Sequence, residues 1–321
     1  MNELFLNVLI LTAAIAVLVR AGDAVVRALI FFANLFGISE YVASFVLMSF
    51  ATTLPELSIA LNSAFSGEPT LAVGTAIGSN MVNIGFILGL VAVFSGRVAI
   101  DRVVASRDAW ITFALGISPV LLLLDLELSR FDGLLLLLLF FVYLMYLLKL
   151  YEFLKSGGIL LPAFRERLRA ENLRGFFGHF FRFAVGAAAI IIAAYFAVQS
   201  GHFISLAIGL PELLMGILVF AVGTSLPELS FGLRAAFTGH GGLSLGNLIG
   251  ASVFNSTLVL GLTAVISPIS FGADSKIIVS ILAMTALLFL ANVLMRTRDS
   301  LNRREGFLLL AVYGLFLLFL F

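Results

Sequence analysis

Long apolar runs separated by short polar breaks make up nearly the whole chain. Runs of the length needed to cross a bilayer, roughly 20 residues, fall at 4–34, 40–66, 70–96, 106–124, 131–154, 176–200, 210–238, 243–268, 276–295 and 305–321. The pattern predicts ten membrane-spanning helices. Glycine and proline collect in the breaks, where Ser66-Gly-Glu-Pro69 and Thr238-Gly-His-Gly-Gly242 each predict a tight reversal between neighbouring helices. The first run has no basic leader or small-residue cleavage site and is too long for a signal peptide, so it is expected to be a mature helix.

One polar phrase interrupts these runs twice. Thr52-Thr-Leu-Pro-Glu-Leu-Ser58 is answered by Thr224-Ser-Leu-Pro-Glu-Leu-Ser230, 172 residues later. The flanks keep the same register: Gly37-Ile-Ser-Glu40 corresponds to Gly209-Leu-Pro-Glu212, and Ile77-Gly-Ser-Asn-Met-Val-Asn83 to Ile249-Gly-Ala-Ser-Val-Phe-Asn255. The chain is therefore an internal duplication with five spans per copy. An odd number of spans makes the second copy enter the membrane from the opposite side. The expected fold is an all-α polytopic membrane protein of two inverted-topology repeats: 1–154 with its motif at 49–83, a connection at 155–175, and 176–321 with its motif at 221–255.

Composition agrees. Hydrophobic residues make up 61% of the chain and charged residues 12%, and the mean hydropathy is +1.15, too little polar surface to coat a soluble globule of this size. Nothing in this balance suggests a nucleic-acid partner, and no obligate protein partner is evident; the expected surroundings are lipid. With no cysteine there are no disulfides or thiolate metal sites. His179, His202 and His240 fall near predicted helix ends, so a histidine metal cluster is not expected. The breaks on one side hold Arg97, Arg102, Arg107, the 149–182 group, Arg234 and four arginines from Arg296 to Arg304, fifteen of the nineteen Lys and Arg. Those on the other side hold only Arg130 and Lys276. The positive-inside rule puts the 155–175 connection in the cytoplasm and both termini outside a cell membrane. The Arg165-Glu-Arg-Leu-Arg169 run reads as a topology signal touching anionic headgroups.

The repeated phrase has a definite physical chemistry. Proline supplies no backbone donor, so Pro55 and Pro227 should free the carbonyls of Ala51 and Gly223 and break both helices. A break exposes a helix N-terminus, whose dipole favours negative charge, beside Glu56 or Glu228. The hydroxyls of Thr52, Thr53, Thr224 and Ser225 lie within a turn of the glutamates. In the following helices Ser79 and Asn83 are spaced to share a face, and Asn255 corresponds to Asn83. Folding the two motifs together gathers two carboxylates, two amides, hydroxyls and free carbonyls, an all-oxygen set suited to calcium or sodium.

Plainer readings compete. A membrane proline is often only a kink, Asn83 and Asn255 can serve as interhelical glue, and Ser79, Thr53 and Ser225 can line tight contacts. Gly74, Gly78, Gly246 and Gly250 read as packing residues, Glu40 and Glu212 as first-turn dipole partners, and Asp23 has no assigned role. A structural ion pair does not account for Glu56 and Glu228, because the motif helices carry no Lys or Arg near them. An intramembrane aspartyl protease requires paired aspartates, which are absent from the motifs. A channel requires a continuous polar pore, whereas the polar residues here concentrate at one level.

The paired Thr-[Thr/Ser]-Leu-Pro-Glu and Ile-Gly-(x)4-Asn segments resemble the α-repeats of the cation/calcium exchanger superfamily, in wording closest to prokaryotic sodium/calcium exchangers. The resemblance implies an antiporter, not an enzyme, that needs no cofactor and exchanges sodium for calcium at a midplane site by alternating access. By position it implies that Glu56 and Glu228 coordinate calcium, that Thr52 and Thr224 offer oxygen to ions, that Ser79 lines a sodium site and that Asn83 is an amide ligand. It also implies that the first and sixth helices slide. Two positions depart from the pattern: Asn255 stands where similar exchangers often carry aspartate, and Ala251 where a sodium-site serine is expected. Two carboxylates balance one calcium, two sodium ions or two protons, so proton/calcium exchange is the alternative, with potassium a further possible counter-ion.

Overall fold

The computed structural model describes residues 2–36, 46, 48–99, 109–147, 173–237, 241–271, 275–297 and 300–320. The 37–40 flank with Glu40, the connection over 155–172 with its Arg165–Arg169 run, Arg102, Arg107, Lys149, Arg298 and His240 lie outside the described residues. In chain order the helices are α1 (Asn2–Phe36), α2 (Ser49–Phe65), α3 (Pro69–Ser95), α4 (Ala109–Leu122), α5 (Arg130–Leu147), α6 (Leu173–Ile208), α7 (Glu212–Phe237), α8 (Gly242–Ile266), α9 (Ser275–Thr297) and α10 (Arg303–Leu320). Six of these, α1, α3, α6, α7, α8 and α9, hold windows long and apolar enough to cross a membrane, and α4 coincides with a shorter apolar helix over Trp110–Asp125. Helix is the form such sequences must take in lipid, because it satisfies every backbone group internally.

Two features depart from an all-helical expectation. Strand β1 (Arg97–Ala99) pairs antiparallel with β4 (Ser300–Asn302), and β2 (Glu127–Leu128) with β3 (Ile269–Ser270). Each pair ties a break in the first copy to one in the second. Strands of two or three residues leave no periodicity to read, and their partners lie far away in sequence. The pairing puts Arg97 beside the Arg303 break, as the distribution of basic residues requires.

The expected helix break occurs in one copy only. α2 runs helical through Pro55, whereas α7 leaves helical geometry at Ser225 (φ −82°, ψ 6°) and resumes at Leu226. Membrane helices tolerate proline through local rewinding; a π-helical stretch over Gly216–Phe220 precedes the break in α7, and π-helical residues Val46 and Met48 precede the unbroken α2. In α2 the Thr53 hydroxyl bonds the Ser49 carbonyl at 2.6 Å. α3 and α8 also widen into π-helical turns, over Val82–Ile87 and Phe254–Val259. These turns contain Asn83 and Asn255, so Ser79 and Asn83 are spaced across a widened turn, not a regular one.

α2, α3, α7 and α8 pack together at the centre. α3 and α7 approach closely: a Cβ on Gly74 would clash with the Leu213 carbonyl oxygen, and one on Gly216 would stand 2.6 Å from both the Leu71 carbonyl oxygen and the Thr75 nitrogen. Gly74 and Gly78 line the same contact, as packing residues do. α10 covers the outer half of α3 and α5 covers that of α8. α1 and α6 form a separate antiparallel pair, with Phe31 stacked on His179 at 4.0 Å and Gly186 against Val25 and Ala21. α1 crosses both motifs, since a Cβ on Gly22 would meet the Pro227 ring at 3.2 Å and the Pro55 ring at 3.9 Å.

Candidate functional site

The helix crossings bring the two phrases together. Glu56, Glu228, Thr52, Thr224, Ser79, Asn83 and Asn255 have no exposed surface, and Thr53 and Ser225 have almost none. Ala51 and Gly223, four residues before the prolines, are buried as well. Carboxylates are rarely buried to this extent without a compensating charge.

Hydroxyls of each phrase lie beside the glutamate of the other. Ser225 of the second phrase donates to Oε1 of Glu56 at 3.5 Å, and the Thr224 hydroxyl, which donates to the Phe220 carbonyl at 2.8 Å, also lies beside that carboxylate. The Thr52 hydroxyl of the first phrase lies beside Glu228. Ser79, from Glu56's own copy, donates to the same Oε1 at 3.3 Å. Neither glutamate has an ion-pair partner among the described residues. Oε2 of Glu56, both oxygens of Glu228 and both ends of the Asn83 and Asn255 amides have no hydrogen-bond partner within reach among them. Side-chain polar atoms are seldom left in this state, and an unpaired buried charge costs several kcal/mol. A cation placed among these oxygens would offset that cost.

The copies are not equivalent. Thr53 is spent on the Ser49 carbonyl, whereas its counterpart Ser225 faces Glu56. Ala251, fully buried, offers no hydroxyl where Ser79 does in the first copy. Asn247 was not singled out from sequence, yet it is fully buried, with Oδ1 accepting from Thr52 at 3.4 Å and its carbonyl accepting from Ser49 at 3.0 Å. Its spacing could have revealed it, since 247, 251 and 255 follow one face of α8 at steps of four.

The profile of the sodium/calcium exchanger protein family matches residues 6–149 and again residues 178–321, two copies in the register of the repeated phrase. The chain belongs to the sodium/calcium exchanger family. It is a multi-pass membrane antiporter and not an enzyme, like its relatives. Inner membrane protein YrbG of Escherichia coli (strain K12) is 31% identical over 87% of each chain. The sodium/calcium exchanger MaX1 of Methanosarcina acetivorans is 28% identical over 98% of each chain. The solved structure of the sodium-calcium exchanger NCX_Mj superposes with a TM-score of 0.70 at 25% identity, over 98% of this chain and 99% of that one.

Proposed function

We propose that the chain exchanges calcium for sodium across the cell membrane, binding either ion at the cage formed by the two phrases. In this reading Glu56 and Glu228 carry the charge, and Thr52, Thr53, Thr224, Ser225, Ser79, Asn83 and Asn255 supply neutral oxygen together with the carbonyls of Ala51 and Gly223. The fold is two inverted repeats of five spans, 1–154 and 176–321, joined by the cytoplasmic 155–175 connection, with both termini outside. The cage opens to each side by turns as α1 and α6 slide over the motif helices. The carrying observation is that two buried carboxylates, each beside hydroxyls of the other copy, have no cationic side chain to balance them among the described residues. Hard oxygen ligands of this kind select calcium and sodium over metals that prefer nitrogen or sulfur.

A second reading, proton/calcium exchange, draws support from the buried amide of Asn255 and the methyl of Ala251, which reduce the cage to two charges and remove one hydroxyl. The hydroxyls around Glu56 favour sodium, because proton carriage alone does not need them. Calcium uptake into vesicles under an outward sodium gradient, compared with an outward proton gradient of equal size, separates the two. Sodium-driven uptake at constant pH is expected. Uptake driven by protons and indifferent to sodium overturns the sodium reading.

A further inference from the structure

A histidine and two glutamates outside the central cage meet at one end of the bundle. Glu68 immediately precedes α3, His202 lies within two turns of the end of α6, and Glu212 opens α7. Nδ1 of His202 is 2.6 Å from Oε1 of Glu68 and 2.8 Å from Oε1 of Glu212. Thr70 donates its hydroxyl to Oε2 of Glu212 at 3.1 Å. One ligand atom from each of the three residues lies within 4.8 Å of the others.

Hydrogen bonding alone accounts poorly for this arrangement. An imidazole nitrogen carries at most one hydrogen, yet two carboxylate oxygens converge on the same Nδ1. The other oxygen of Glu68, Oε2, is buried with no partner among the described residues. The turn between α6 and α7 is fixed, with Gly209 at φ +68° and the Ser205 hydroxyl bonded to the Leu210 carbonyl, so the three side chains are held on a defined frame. The side chains remain reachable, with 36% of His202, 16% of Glu68 and 24% of Glu212 exposed.

We propose that Glu68, His202 and Glu212 form a second cation site, for a divalent transition metal of the zinc type. One imidazole nitrogen and two carboxylate oxygens, completed by a water or the Thr70 hydroxyl, make the mixed nitrogen and oxygen set that zinc accepts in tetrahedral geometry. Calcium and sodium favour oxygen alone, so the imidazole distinguishes this site from the central cage. The ligands come from the ends of three helices, and the bound metal staples the end of α6 to the starts of α3 and α7. The 66–69 and 209–211 turns lie on the face opposite the basic breaks, which the proposed topology makes the outer one. Zinc applied there inhibits exchange, and this inhibition, unlike the binding, rests on the reading that α6 slides.

The test is a calorimetric titration of the purified full-length protein with zinc alone, in saturating calcium. It compares the wild type with His202→Ala, Glu212→Gln and Glu56→Gln, each checked for folding by gel filtration. One zinc per chain is expected for the wild type and for Glu56→Gln, with affinity at least about tenfold weaker in His202→Ala and Glu212→Gln. A wild type that binds no zinc, or zinc binding lost in Glu56→Gln and kept in His202→Ala, overturns the site. Calcium flux measured in parallel is expected to fall with zinc in the wild type and not in His202→Ala. Full zinc occupancy with unchanged flux overturns the stapling of α6 while leaving calcium transport by the cage intact.

Discussion

Ser225 donates its hydroxyl to Oε1 of Glu56 at 3.5 Å, across 169 residues of chain. Neither residue could build this contact within its own copy. The Thr52 hydroxyl lies beside Glu228 in the same crosswise sense, so each copy alone would lack hydroxyls that the other copy brings to its carboxylate. The two halves therefore depend on each other at the site, and four predictions follow from how they meet.

Glu56→Gln and Glu228→Gln keep shape and remove charge. Losing one partner of a buried charge pair costs about 3–5 kcal/mol, so calcium affinity should fall by at least about a hundredfold in either variant. Calcium titration of the folded variants provides the measurement, and a near-normal affinity in either would remove that residue from the cage.

Ala251→Ser restores a hydroxyl at the position that corresponds to Ser79. A neutral hydrogen-bonding oxygen contributes about 0.5–1.5 kcal/mol, so the sodium concentration giving half-maximal exchange should drop by about two- to tenfold. Calcium affinity should change little. Identical sodium curves for the variant and the wild type would mean that this face of α8 does not line a sodium position.

Asn255→Asp adds a third carboxylate to a cage already holding two. The new group can exchange a proton where the amide cannot, so protons should compete with calcium in the variant. The expected outcome is an acid-side inhibition of calcium transport that begins at higher pH than in the wild type. Superimposable pH profiles would remove Asn255 from the ion ligands.

Gly216→Val tests the contact between α3 and α7, where even a Cβ would stand 2.6 Å from the Leu71 oxygen. Overpacking at such a contact costs about 1–3 kcal/mol, and the thermal midpoint in detergent should fall by several degrees. An unchanged midpoint would show that the two helices can part without cost, contrary to their packing here.

The sequence by itself determined the helical membrane character and the recurrence of the phrase, and it pointed to the residues proposed for the cage. Each is written locally: lipid leaves an apolar run little choice but helix, and a repeated phrase with intramembrane glutamates marks its own importance. The exchanger family was legible for the same reason. What only the tertiary structure decided depends on distance between segments. Pro55 and Pro227 stand in nearly the same words, yet only α7 breaks, because the neighbouring helices settle whether a proline rewinds its helix. The crosswise service of the glutamates, the strand pairs and the contact of Asn247 with Thr52 join residues that are remote in sequence. Glu212 reads from sequence as a dipole partner at a helix start, and His202 as one of three histidines near helix ends with no metal cluster expected. Their meeting with Glu68 needed three helix ends to converge, and no local periodicity records that convergence.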